Sequence, residues 1–88
     1  MKVVFSDRAW SEYLQWSRDE ARIQTRVNEL IEDIRRHPFT GIGKPEPLRG
    51  NFAGFWARRI TGEHRLVYCV EGKGDSQAVA IAQCRYHY

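Results

Sequence analysis

A chain of 88 residues has room for one domain and one core, and buries only about 60–65% of the surface its unfolded form exposes. At 42% hydrophobic and 12% aromatic it is too rich in core formers to stay disordered, and no run approaches the ~20 apolar residues of a membrane span. The net charge of +3 is modest, and with no signal-peptide pattern behind Met1-Lys2 the expected compartment is the cytoplasm.

In chain order, Lys2-Val3-Val4-Phe5 reads as a short buried strand, closed by Ser6-Asp7 as a helix N-cap with an acid in the first turn. Trp10, Tyr13, Leu14 and Ser17 then recur at helical spacing. A second helix is expected from about Asp19, with Ile23, Val27, Leu30, Ile31 and Ile34 as its apolar stripe. Arg35, Arg36 and His37 suit a helix C-terminus, and Pro38 stops the helix. Residues 38–54 form a loop punctuated by glycine and proline, either a functional segment or a connector, which its prolines stiffen. Strands are expected over 55–60, 64–71 and 77–86, joined by the Thr61-Gly62-Glu63 turn and the loop from Gly72 to Asp75. The order predicts an α+β fold, two N-terminal helices on one face of a mainly antiparallel sheet.

Alternation assigns Ala78, Ala80, Ala82 and Cys84 to the helix side, with Leu66, Tyr68, Val70, Trp56 and Ile60 also on the core face. Arg59, Arg65, Arg85 and, in phase, His87 then fall on the open face, with Gln83 beside them. Cys69 and Cys84 make no disulfide framework and are read as reduced core residues. His64 falls on the core face and reads as structural.

The charge is unevenly spread. Residues 1–43 carry seven basic and seven acidic side chains, and 71–88 also cancel. The excess lies in 44–70, where Lys44, Arg49, Arg58, Arg59 and Arg65 face only Glu46 and Glu63. This is either a solvated basic face or a polyanion site, for which guanidinium is suited by its bidentate grip on phosphate. Glu46 lies between Pro45 and Pro47, which hold it extended, so it reads as a fixed proton acceptor or as a solvated loop glutamate. His87 can exchange a proton near neutrality, and Tyr86 and Tyr88 beside it suit base stacking; a histidine so near the end is otherwise incidental. An acid, a histidine and several arginines are the parts for cleaving RNA: a base for the 2′-hydroxyl, cations for the phosphorane, an acid for the leaving oxygen. Neither a metal-ligand spacing nor a nucleophile triad is present, so no cofactor and no metal are expected.

Lys-Pro-Glu-Pro-Leu at 44–48, Gly-Phe-Trp-Ala-Arg-Arg-Ile-Thr at 54–61, His-Arg-Leu-Val-Tyr at 64–68 and Cys-Arg-Tyr-His-Tyr at 84–88 resemble the YoeB (Txe/YoeB) toxins of the RelE-like superfamily. Trp10, Tyr13, Trp16, Asn28-Glu29-Leu30-Ile31 and Arg35-Arg36 extend the resemblance over nearly the whole chain. It implies a microbial-ribonuclease-like fold and a type II toxin that cleaves messenger RNA in the ribosomal A site. It also implies a homodimer and a YefM-type (Phd/YefM) antitoxin, with DNA met only through the antitoxin complex and no membrane partner. Carried over, Glu46 is the general base, His87 the general acid, Arg65 the transition-state arginine and Tyr88 a residue shaping the site. Arg49 and Arg59 match phosphate-contacting positions, and Lys44 and Arg85 complete the expected phosphate-binding set. Two departures stand out: arginine at position 49, commonly lysine in the family, and a longer loop at 72–76. The rival readings are a toxin of the same fold acting on DNA gyrase and a non-catalytic RNA- or ribosome-binding module.

Overall fold

A computed structural model describes residues 1–87; Tyr88 lies outside them. The elements run β1 (Lys2–Phe5), α1 (Asp7–Asp19), α2 (Ala21–Arg36), β2 (Glu46–Pro47), β3 (Trp56–Arg59), β4 (Arg65–Glu71) and β5 (Ala78–Gln83). The sheet order is β1-β5-β4-β3-β2; β1 runs parallel to β5 and every other pairing is antiparallel. Both helices pack on one face, as the order of the elements predicts. No helix among the described residues is long and apolar enough to cross a membrane.

Ser6 starts α1 by accepting the Ala9 N–H on its hydroxyl, which in turn donates to the Ala82 carbonyl. Glu20 takes extended backbone between the helices and moves the start of α2 to Ala21. The stripe on α2 is as expected: Val27, Leu30, Ile31 and Ile34 are buried and Ile23 packs beside them. On α1 the buried face is Ala9, Glu12 and Trp16 rather than the one expected. Trp10 and Leu14 remain exposed, with Trp10 stacked on Tyr13 at the surface and edge-on to Phe5. The larger aromatic was no guide to the inward side because the helix lies close against β5, where a small alanine at position 9 fits.

The expected assignment of the β5 faces also fails, for a specific reason. Val79 and Ile81, not the alanines, join the helix-side core. Ala80 and Ala82 line the opposite face, where Ala82 packs against a second small cluster of Leu48, Ala57 and Val67. The register shifts between Val67 and Tyr68: Tyr68 pairs with Ile81, whereas Val67 pairs with Gln83. Ala82 is thus the extra residue of a bulge, which resets the alternation. Gln83 then falls on the open face and Cys84 on the core side, as expected for those two, although the alternation that led there was out of phase at both ends. Burial raises the Cys84 thiol to about 12 and also pushes the Cys69 thiol up, so neither is a ready thiolate.

Candidate active site

The loop from His37 to Gly43 is held by one buried side chain. Arg58, fully buried on the helix side of β3, donates to the carbonyls of His37, Thr40 and Ile42, to the Asp33 carboxylate and to the Tyr68 hydroxyl. The Tyr68 hydroxyl in turn donates to the Pro38 carbonyl at 2.6 Å. Charge excess had placed Arg58 in the surface cationic cluster; it is instead the bolt that shapes the loop. The Arg58 hydrogen bond is the chief reason the Asp33 carboxyl lies below its ordinary range. Gly41 and Gly43 complete the arrangement at positive φ, where an added Cβ would collide with Asp33 Oδ2 and with Leu30 Cδ2 respectively.

The loop so fixed delivers Glu46 to the sheet. Gly43 accepts from the Arg59 N–H at 2.7 Å and Leu48 donates to the Phe55 carbonyl at 2.9 Å, so the Glu46-Pro47 pair becomes an edge strand on β3. Glu46 pairs with Ala57, Ala57 with Val67, and Val67 with Gln83. Paired residues face the same way, so these four form one row across the open face. Three strand spacings of about 4.8 Å make the row about 14 Å from end to end. Leu48, Ala57 and Val67, with Phe55 and Ala82 around them, give it an apolar floor.

Two residue pairs along, past Arg58–Leu66 on the helix side, Arg59 lies directly opposite Arg65 on that same face. Like charges directly opposed weaken a sheet, so the pair marks a place suited to an anion. Arg65 braces one guanidinium nitrogen on the carbonyls of Thr61, Gly62 and His64. Arg59 is exposed, and among the described residues neither it, Lys44 nor Arg49 forms an ion pair. Lys44 and Arg49 flank Glu46 in the chain, both exposed.

The far end of the row holds the chain's tail. Gln83, buried on the open face, donates its amide protons to the carbonyls of Arg85 (3.3 Å) and His87 (3.2 Å). The His87 backbone therefore lies over the end of the row that Glu46 begins, and its residue is exposed. His64 is structural, as expected: it is buried and its Nδ1 accepts the Tyr86 N–H at 2.8 Å. Arg85 departs from expectation. It leaves the open face, where alternation had put it, and its guanidinium donates to Gln15 Oε1 at 3.1 Å and Asp19 Oδ2 at 3.0 Å on α1. The strand ends at Gln83, so alternation has no hold on position 85. The place expected for Tyr88 lies outside the described residues.

The open face thus brings together Glu46, Arg59, Arg65 and the tail carrying His87, and leaves out Arg58 and Arg85. A profile of the YoeB-like toxin of bacterial type II toxin–antitoxin systems matches residues 5–88. The chain belongs to the YoeB-like toxin family. The YoeB toxin of Escherichia coli strain K12 is 53% identical over 88 residues, covering all of both chains. A solved YoeB/ParE toxin from Agrobacterium tumefaciens superposes with a TM-score of 0.98 at 50% identity, again over the full length of both chains. A heterotetrameric YoeB–YefM toxin–antitoxin complex from Staphylococcus aureus gives 0.87 at 39% identity, covering all of this chain and 98% of that one. The YoeB-like likeness thus spans strand, helices, loop and tail alike.

Two site features carried little signal in the sequence. Gln83 was placed on the open face, but its grip on the tail could not be read from spacing. Glu12 offered a clue that went unused: it is a carboxylate three residues after Ala9, and so on the same face of the helix.

Proposed function

We propose that this YoeB-like toxin is a messenger-RNA endonuclease that works in the ribosomal A site without metal or cofactor. In this mechanism Glu46 takes the proton from the 2′-hydroxyl of the cleaved nucleotide. Arg65, with Arg59 and Arg49, stabilises the phosphorane, while Lys44 holds the neighbouring backbone. His87 protonates the departing 5′-oxygen, and Tyr88 completes the site. The products are a 2′,3′-cyclic phosphate and a 5′-hydroxyl. What carries this reading is the row from Glu46 to Gln83: an acceptor at one end, the histidine tail at the other, and an opposed arginine pair alongside. With the Glu46 and His87 side chains turned toward each other, the row of about 14 Å would leave a gap on the scale of one phosphodiester. Arg85, committed to Asp19, is not needed as a phosphate ligand in this scheme.

The partners that fit a family member of this kind are a YefM-type antitoxin, the ribosome with its message, and a second copy of the chain. The reading places the protein in the cytoplasm as a single toxin domain spanning residues 1–88. Primer extension on ribosomes carrying a defined message tests the activity. New 5′ ends are expected with the unaltered protein and not with Glu46→Gln or His87→Ala. Ribosome binding without new ends contradicts catalysis.

A further inference from the structure

β5 ends at Gln83, so Cys84 has lost its sheet partner, and α1 supplies both of its backbone contacts. Glu12 Oε1 accepts the Cys84 N–H at 2.9 Å, and Trp16 Nε1 donates to the Cys84 carbonyl at 2.8 Å. The next residue is caught by the same helix. Gln15 and Asp19 take the Arg85 guanidinium, which lies 4.3 Å from the Trp16 ring centroid. Positions 12, 15, 16 and 19 are spaced i, i+3, i+4, i+7, one stripe of the helix, and every one of them is spent on Cys84 and Arg85. A buried carboxylate at Glu12, itself held by Arg8 Nε at 3.0 Å, is a costly choice where an aliphatic side chain would serve a core. Tyr86 follows at φ 65, a conformation that favours glycine. It is kept there through both backbone groups: its N–H on His64 Nδ1, and its carbonyl accepting the Arg65 N–H at 3.0 Å. Strain held in place by surrounding contacts is characteristic of functional sites.

We propose that the Glu12–Gln15–Trp16–Asp19 face of α1 is a positioning bracket that sets where His87 stands in the cleavage site. The inference rests on the proposed nuclease reading for its catalytic consequence. Cys84 is three residues from His87, and a free segment of that length sweeps up to ~10 Å. Fixing both Cys84 and Arg85 shortens the free segment to two residues, which the contacts of Tyr86 with His64 and Arg65 and of the His87 carbonyl with Gln83 then hold before the message binds. Arg85 is then a positioning residue acting through Asp19 rather than a phosphate ligand.

Trp16→Phe keeps a six-membered ring in the core and removes the donor together with the five-membered ring; Asp19→Ala changes a half-exposed side chain remote from the row. The full chain carrying each is compared by amide hydrogen exchange at Cys84 and Tyr86 and by steady-state cleavage on programmed ribosomes. Each variant is expected to exchange faster at these amides and to lose about 10-fold in kcat with KM unchanged. Asp19→Ala combined with Arg85→Met should be no worse than Arg85→Met alone. Unaltered exchange and unaltered kcat in both variants overturn the bracket. A raised KM in Arg85→Met, with Asp19→Ala cleaving normally, overturns the positioning role in favour of phosphate binding. Normal cleavage by His87→Ala instead marks failure of the nuclease reading, and faster exchange in Trp16→Phe then still supports the bracket as an anchor of the tail.

Discussion

Arg58 and Arg59 are adjacent in sequence and opposite in every physical respect. Arg58 turns to the helices, is fully buried, and donates to three loop carbonyls, Asp33 and Tyr68. Arg59 turns to the open face, is exposed, and stands against another arginine. One face of the sheet satisfies its charge internally and so contributes to the fold. On the other, Arg59 forms no ion pair among the described residues and so is available to a ligand. The same residue type serves scaffold or site according to strand parity alone.

The largest effect that sharpens this contrast belongs to the open face. Glu46→Gln should slow ribosome-dependent cleavage by about 10²–10⁴-fold, measured in single turnover, while thermal unfolding moves little. Arg58→Met should act on stability first. Removing the buried guanidinium unpairs a partly exposed carboxylate and three carbonyls and should cost about 2–4 kcal/mol in urea unfolding. That is a large share of the ~5–15 kcal/mol that holds a small domain together. A smaller, graded effect comes from pH. The Asp33 carboxyl titrates below its ordinary value, so its contribution to stability is fully present above the unfolded-state value of 3.8 and is lost as pH falls through the lower folded value. Urea midpoints should therefore drop on the acid side, and Asp33→Asn should flatten that drop. The smallest effect is expected at Arg59→Gln, where relieving like-charge opposition should stabilise by a few tenths of a kcal/mol. The same variant should bind RNA more weakly, with a shallower salt dependence. Destabilisation at Arg59 with undiminished RNA binding would erase the distinction between the two faces.

Much of this was legible in the sequence, and the reasons differ by element. The α2 stripe read correctly because five apolar residues at helical spacing leave one inward face. The extended backbone at Glu46 was legible because two flanking prolines restrict it whatever surrounds it. The β5 faces were misread because a one-residue bulge at Ala82 resets the period and leaves no mark in composition. Arg58 and Arg85 were both counted as surface cations because charge says nothing of direction. Only the presence of Asp33 and the loop carbonyls, or of Asp19 and Gln15, decides where a guanidinium goes. The resemblance to YoeB toxins identified the family but did not distinguish structural arginines from those available to a ligand.

The central claim is an in-line attack by a 2′-oxygen whose proton Glu46 removes. A message bearing a single 2′-deoxy substitution at the cleaved nucleotide, presented on the ribosome, tests it most directly. The mechanism predicts that the substituted position stays intact while an all-ribose message is cut there. Cleavage of both at equal rates would contradict it.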